Sequence, residues 1–256
     1  MWHRPCRLIW PTGQREPFPL GKPVAVAGSR KYAEGLGNGG TLPAAIDDIF
    51  DQTGALVIVV RVAEGSDDAG TQASVINGMQ AFLDSQTETG YTPRILCAPE
   101  FSQIDAVASE LEAKAARLRA IAYVDCTRTA TYTDAIKRAR QFGDRVELNW
   151  PWVQVYDTEL AKTIDRPYSA RAAGLRARID AEKGFWWSKS NQQVYGIVGT
   201  SQPVDWSLGD ANSMANMLNE NKVSTIIRQS GFCTGATGPA VRMPNGLSSK
   251  PAVPLT

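Results

Sequence analysis

The residue types that most often carry chemistry are scarce in this chain. It has a single histidine, His3, within a segment that shows no periodic pattern. A Ser-His-Asp or Cys-His system, or a zinc site, would have to be built around that residue. The cysteines do not show the C-x-x-C spacing of metal and redox sites: Cys6, Cys97, Cys126 and Cys233. We therefore expect no catalytic residue, no bound metal, and buried free thiols in a reducing compartment.

A glycine-rich loop provides the best alternative for an enzyme. Gly35–Gly40 reads GLGNGG, a G-x-G-x-x-G pattern before a predicted helix, and Glu64 follows the next predicted strand, where an acidic residue could bind a ribose. A dinucleotide site needs its glycines at the turn directly after a strand, but residues 29–34 separate these glycines from a strand that ends near Ala27. We interpret the segment as a flexible loop and expect no cofactor. A nucleotide-binding α/β enzyme using Gly35–Gly40 is the alternative.

Charged residues are numerous but scattered. Asp47, Asp48 and Asp51 share a predicted helix, and Asp67 and Asp68 lie in a predicted loop. We expect solvated surfaces there rather than a pair of catalytic carboxylates. The net charge of +1 implies neither a nucleic acid nor an acidic substrate as a partner. No apolar run reaches the length of a membrane span.

Strand-like and helix-like segments alternate at least four times before residue 168. The predicted strands are Lys22–Ala27, Ala55–Val62, Arg94–Ala98, Ala120–Asp125 and an apolar stretch at Val146–Val155, and the predicted helices are Thr41–Gln52, Gln72–Gln86, Gln103–Arg119 and Thr133–Phe142. Ala55–Val62 is rich in Val and Ile without alternation, which is typical of a strand covered on both faces in a parallel sheet. The rhythm predicts an α/β fold: a layered domain with a mostly parallel sheet flanked by helices.

The stretch from Tyr168 to Thr200 combines a helix, three aromatic residues and an apolar run. Pro167 marks the helix start, and Lys183 followed by Gly184 marks its end. The next residues are aromatic: Phe185, Trp186 and Trp187. We expect them to pack in the core, with a ligand platform as the alternative and, for Trp187, a subunit contact.

Basic residues line the same helix, interspersed with Asp180 and Glu182: Arg171, Arg176, Arg178 and Lys183. The mixed signs favour ion pairs, either inside the domain or across a subunit contact, over nucleic-acid binding. Aromatic residues are not interleaved with them, as a stacking platform for bases would require. Arg171, Arg176 and Arg178 are therefore, with Trp187, the candidate subunit-contact residues.

An ordered series of segments resembles the tail sheath proteins of contractile-tailed bacteriophages, of the P2-like temperate type. The series begins with FPLGKPVAVAGS, GTLPAAIDDIFDQTGALVIVVRV and YTPRILCAPEF, and continues with GFWWSKSN, GIVGT and NMLNENKVSTIIRQSGF. It covers roughly Phe18 to Phe232. No single motif in it is diagnostic, but the order is specific.

The resemblance implies a structural virion protein rather than an enzyme. Such a subunit polymerises as a helical array around the tail tube, and contraction of the array drives the tube through the host envelope. The implied partners are further copies of the chain, the tail tube protein and the baseplate, with no nucleic acid and no stable membrane association. The implied location is the virion, after assembly in the bacterial cytoplasm. A monomeric adaptor of the baseplate is a further alternative.

The two ends depart from the family pattern. We expect residues 1–17 to be a non-native or partial segment, residues 18–232 to form the sheath domain, and residues 233–256 to be a disordered tail. Codons for CTGATGPAVRMPNG can be chosen so that another frame encodes LYGGNRTCSPDAKW, which resembles the family's continuation, so we hypothesise a frameshift. The family's terminal arms add strands to a neighbouring subunit. Without them, we expect a degenerate, assembly-defective prophage product.

Overall fold

The computed structural model describes residues 17–37, 39–158 and 160–235. Its strands are β1 (Pro23–Ala27), β2 (Leu56–Val60), β3 (Ile95–Cys97), β4 (Ile121–Asp125), β5 (Val146–Asn149), β6 (Val153–Asp157), β7 (Lys162–Arg166), β8 (Gly199–Thr200), β9 (Val223–Ser224), β10 (Ile226–Arg228) and β11 (Phe232–Thr234). Its helices are α1 (Leu42–Phe50), α2 (Asp68–Gly78), α3 (Ala81–Thr89), α4 (Asp105–Leu118), α5 (Tyr132–Ala139), α6 (Ser169–Lys183) and α7 (Met214–Glu220), and a 3₁₀ segment spans Arg30–Leu36.

A four-stranded parallel sheet lies at the centre, in the order β3-β4-β5-β9. Alternate residues of β4 face opposite sides: Ala122 and Val124 pack in one core with α4 residues such as Leu111, and Tyr123 packs in a second core with Leu175 of α6. Both faces of the sheet are thus covered by helices, as is usual for parallel strands. The predicted fold class, a mostly parallel sheet flanked by helices, is confirmed.

The strand predicted at Ala55–Val62 exists, but its predicted environment is wrong. Strand β2 pairs antiparallel with β1 in a separate two-stranded sheet. Only one side is well buried, where Val59 packs with Val26 and Ile46, while Leu56 is exposed. An unbroken Val/Ile run shows that a strand is apolar, but the run carries no information about the direction of its partner.

Two other predicted segments are divided in the structure. The helix predicted at Gln72–Gln86 is two helices, α2 and α3, with a break at Met79 and Gln80. The apolar stretch Val146–Val155 is also two strands: β5 belongs to the parallel sheet, and β6 lies between β7 and β8 in an antiparallel sheet. Pro151, which we expected to end pairing or to lie at an edge, falls between these strands.

The last described residues form a hairpin. Strand β11 pairs antiparallel with β10, so a strand runs across the domain boundary predicted between residues 232 and 233. The remainder of the predicted tail, residues 236–256, and residues 1–16 of the predicted amino-terminal segment lie outside the described residues. The boundaries themselves stay predictions.

Candidate functional site

Helix α6 lies between the parallel sheet and helix α1. Leu175 and Ile179 pack with Tyr123 on the sheet side. On the other side, a Cβ at Gly174 would come within 2.7 Å of the carbonyl oxygen of Ile49, so the glycine permits close contact between the helix backbones. Helix α6 therefore connects the β1-β2-α1 layer to the main sheet.

A carboxylate from the sheet caps the start of α6. Asp125, at the end of β4, accepts a hydrogen bond from the backbone N–H of Ser169 (2.8 Å) and another from the Ser102 hydroxyl (3.2 Å). Burial raises the pKa of Asp125 to about 6, although these hydrogen bonds oppose the shift. Because Asp125 is only 1% exposed, it reaches no substrate from solvent and acts as a structural cap. Sequence reasoning missed it, since its partners are distant along the chain.

Asp125 should make stability fall as the pH rises from about 4 to 6. Within that window the folded state binds the proton more tightly than the unfolded state, so deprotonation costs up to about 3 kcal/mol. The Asp125→Asn variant should lose this slope in urea unfolding at a series of pH values. As a control, Asp134→Asn removes an exposed carboxyl whose pKa is lowered by the Thr131 hydroxyl, and it should not flatten the same fall. An identical slope in the Asp125→Asn variant would contradict the assignment.

Arg171 joins α6 to α1 through a buried ion-pair network. Its Nη2 lies 2.7 Å from Asp48 and 2.8 Å from Asp51, and its Nη1 donates to the carbonyl of Tyr195 at 2.7 Å. Arg166 contacts the same Asp48 oxygen at 3.1 Å. Burial raises the pKa of Asp48, against the attraction of both arginines. Our expectation of a solvated face is therefore wrong for Asp48, which is 2% exposed.

The other two candidate arginines also bind partners within the subunit. Arg176 pairs with Asp180 one turn later and donates to the carbonyl of Trp187 at 2.7 Å. Arg178 donates to the carbonyl of Gln193, and its guanidinium lies 4.1 Å from the centre of the Tyr195 ring. All three arginines thus have partners inside the domain, and their role as subunit contacts stays a prediction. Trp187 is the candidate subunit contact with an exposed side chain.

The expectation that Phe185 and Trp186 pack in the core is wrong. Helix α6 does end at Lys183, and Gly184 follows at a φ of 92°, as the sequence predicts. The chain then turns outward, and the aromatic side chains are 62%, 67% and 50% exposed at Phe185, Trp186 and Trp187. Residue type indicates that these side chains have apolar area to bury, but it does not indicate whether the fold of the subunit buries that area.

A buried ion pair anchors the chain directly after these aromatic residues. The ammonium group of Lys189 contacts the carboxylate of Glu147 on β5 and lies 4.7 Å from the centre of the Tyr123 ring. Both side chains of the pair are under 10% exposed. Burial lowers the pKa of Lys189, and Glu147 opposes that shift. The hydroxyl of Thr234 donates to the carbonyl of Lys189, which ties the same point to β11.

The glycine loop lacks the setting of a dinucleotide site. Gly35 lies in the 3₁₀ segment, and the helix that follows the loop connects β1 to β2. These strands are antiparallel. A dinucleotide fingerprint requires a parallel βαβ unit, so the alternative that uses Gly35–Gly40 has no structural support.

The remaining candidates for chemistry are the cysteines, the histidine and possible metal ligands. Cys97, Cys126 and Cys233 are free thiols, and burial raises the pKa of Cys97 and Cys126 to about 12, which disfavours the reactive thiolate. Among the three cysteines that the structure describes, Cys126 is buried, and Cys97 and Cys233 are half-buried. Cys6 and His3 lie outside the described residues. Within the described ranges, no group of three His, Cys, Asp or Glu side chains is placed to hold a metal ion. Nor is any described helix long and apolar enough to cross a bilayer.

Solved structures of contractile systems share this fold. A subunit of the baseplate of the anti-feeding prophage superposes with a TM-score of 0.62 at 20% identity, over 88% of this chain and 60% of the other. A subunit of the contracted helical sheath of the same system gives a TM-score of 0.57 at 17% identity, over 84% and 56%. At such identities the likeness concerns the fold alone.

Relatives in sequence are closer. The tail sheath protein of Escherichia phage P2 is 34% identical over 233 residues, 85% of this chain and 59% of that protein. The tail sheath protein of Burkholderia phage BcepMu is 41% identical over 167 residues, 62% of this chain and 35% of that protein. The major tail sheath protein of Serratia phage KSP20 is 36% identical over 228 residues, 84% and 58%. The chain thus spans at most about three fifths of the length of these relatives.

The family model for the phage tail sheath protein central domain matches residues 69–232. The matched range holds all four strands of the parallel sheet, helix α6 and the exposed aromatic residues. It exceeds half of the chain, and it contains the last four of the six segments whose order resembles sheath proteins. By sequence and by fold, this chain belongs to the phage tail sheath protein family.

Proposed function

We propose that this chain is a structural subunit of a contractile tail sheath and not an enzyme. In this role, copies of the chain pack as a helical array around a tail tube, and contraction of the array drives the tube through the host envelope. The observation that carries the proposal is the family match over residues 69–232, which spans the sheet and its covering helices. Since the relatives are longer, the activity of the whole protein is part of the proposal.

The internal contacts support a subunit that moves as one body. Arg171 bridges α6 to α1, Asp125 fixes the start of α6, and Lys189 is bound to Glu147 inside the second core. Buried, hydrogen-bonded contacts of this kind resist small deformations. A sheath that shortens by re-docking rigid subunits needs such a body, with the change confined to contacts between subunits.

The proposed partners are further copies of the chain, the tail tube protein and the baseplate. The proposed location is the virion tail, after assembly in the cytoplasm of the bacterial host. The tail sheath proteins among the relatives support a tail location, and the similar solved structures come from a helical sheath and from a baseplate. Nucleic acid and membrane are not among the proposed partners.

Electron microscopy of the purified chain, alone and mixed with an intact family member, tests the proposal. We expect an epitope-tagged copy of this chain to enter tubes that the P2 relative forms, where antibody labelling would detect it. A chain that stays out of such tubes at every mixing ratio would contradict the sheath role. The control is the same tag on an unrelated protein.

The same images test the sequence-based expectation of an assembly-defective product. Regular tubes from this chain alone would refute that expectation and would support the sheath role. If the chain enters the relative's tubes but forms no tubes by itself, the result agrees with both the sheath role and the assembly defect.

A further inference from the structure

The residues Phe185, Trp186 and Trp187 form an exposed surface, here named the aromatic ridge. Their exposed fractions are 62%, 67% and 50%. About half of the area of these side chains is therefore in contact with water. In most folded proteins, side chains of this size bury about 150–250 Å² each. Three consecutive large aromatic residues left in water are a strong indication of a contact with another molecule.

The ridge is held in place by the subunit. Arg176 donates to the carbonyl of Trp187, and the N–H of Trp187 donates to the carbonyl of Gly184 at 3.1 Å. Lys183 lies 5.5 Å from the centre of the Trp187 ring. A Cβ at Gly184 would lie 2.5 Å from the Trp186 ring, so the glycine lets the backbone and the indole approach. The exposure of the ridge is thus a property of the folded chain, which reduces the entropy lost on binding.

The geometry of the ridge favours a protein surface over a small planar ligand. The rings of Phe185 and Trp186 are 5.1 Å apart and inclined at 77° to each other. Rings at that angle do not form the flat platform on which a base or a sugar stacks. They form a raised apolar edge, which fits a concave surface lined by side chains.

The same chain carries a concave surface of suitable size and charge, here named the α2–α3 groove. It is an open depression of about 400 Å³ between the segment that follows β2 and helices α2 and α3. Val62, Ala63 and Ala81 line it with apolar atoms, and Asp84 adds a carboxylate. The other side chains that line it are polar: Ser74, Asn77 and Gln80. The positive Lys183 beside the ridge complements that carboxylate.

We propose that the aromatic ridge of one copy packs into the α2–α3 groove of the next copy. Such a contact joins two different surfaces of identical subunits, and a contact of this type generates rings or open helical arrays. The proposal rests on the sheath function and specifies one contact of the array. It assigns Trp187 and its two aromatic neighbours to the subunit interface and names their binding surface.

The area of the contact sets its strength. The exposed half of three aromatic side chains amounts to about 250–400 Å², against about 800 Å² per partner in a stable complex. The contact should therefore be weak between two isolated chains and strong only in an array where each subunit makes several contacts. The expected behaviour of the purified chain is reversible self-association that increases with concentration.

Complementary surface variants test the proposal by sedimentation velocity. The ridge variant replaces Phe185, Trp186 and Trp187 with serine, and the groove variant combines Ala63→Arg with Asp84→Lys. All five positions are exposed, so the variants should unfold at the wild-type temperature. Each variant alone should associate at least about tenfold more weakly than the wild type. A mixture of the two should form dimers and nothing larger, because one intact ridge and one intact groove remain.

A control variant and three contrary results complete the test. Tyr32→Ser with Leu208→Ser removes equally exposed apolar side chains elsewhere and should not change association. Loss of association in the ridge variant only, without rescue by mixing, would indicate ridge-to-ridge contact and overturn the groove assignment. A wild-type chain that stays monomeric at its highest soluble concentration, or binding of a soluble sugar to the ridge, would overturn the proposal. These experiments measure self-association of the pure chain, so a negative result would contradict the ridge-to-groove contact and not the sheath role. The sheath role is tested by the labelling experiment.

Discussion

Replacing Arg171 with alanine should lower the free energy of unfolding by about 3 kcal/mol. The change removes a guanidinium that is 1% exposed and leaves Asp48, 3% exposed in its side chain, with only the longer contact to Arg166. A buried carboxylate that loses its main partner keeps the cost of its desolvation and loses the attraction that offset it. The measurement is urea unfolding at pH 7, followed by circular dichroism.

Arg30→Ala is the matched control for Arg171→Ala. Arg30 contacts Asp47 of α1 at 2.6 Å and Asp51, which directly follows α1, at 2.5 Å, but its side chain is 52% exposed. Solvent screens such pairs, so the cost should stay within about 1 kcal/mol. Adding Asp48→Asn to Arg171→Ala should restore part of the lost stability, since no buried charge then lacks its partner. Equal losses for the two arginines would contradict the buried network.

Replacing Lys189 with methionine should cost about 3–5 kcal/mol of folding stability. Methionine keeps the length of the side chain but removes the ammonium group, so Glu147 remains as a buried anion beside Tyr123. The double variant Lys189→Met with Glu147→Met should recover most of the loss, because a buried ion pair and an apolar pair of similar volume are often equally stable. Thermal and urea unfolding of the three proteins measure both effects.

An exposed lysine pair provides the comparison for Lys189. Lys222 contacts Asp144 at 3.1 Å, but the two side chains are 59% and 72% exposed. Lys222→Met should change stability by less than about 1 kcal/mol. If the double variant at positions 147 and 189 were as unstable as the single one, the loss would come from packing of the methionines rather than from an unpaired charge.

Local patterns predicted the secondary structure around the site well. The alternation of apolar strands with amphipathic helices predicted a mostly parallel sheet, and Lys183 followed by Gly184 predicted the end of α6. These signals are readable because periodicity and helix ends depend on residues within a few positions of each other. The Val/Ile run of β2 predicts a strand but not the direction of its partner, because that partner lies outside the run.

Contacts between distant residues could not be predicted from local patterns. The partner of Arg171 is 123 positions away, and the acceptor for the N–H of Ser169 is 44 positions away. A charged residue in a sequence looks the same whether it is solvated or paired in a core. Its burial is decided by which surfaces the tertiary fold brings together, so the partners of the α6 arginines inside the subunit are visible only in three dimensions.

The sequence by itself determined the layered α/β architecture, the extent of α6 and the resemblance to sheath proteins, because apolar periodicity and the order of segments are written along the chain. The tertiary structure decided which polar groups are buried and which apolar groups are exposed. It placed Arg171 and Lys189 inside and Phe185, Trp186 and Trp187 outside. Residue type sets the free energy of transfer from water, but only the packed fold determines how much of each side chain still contacts water.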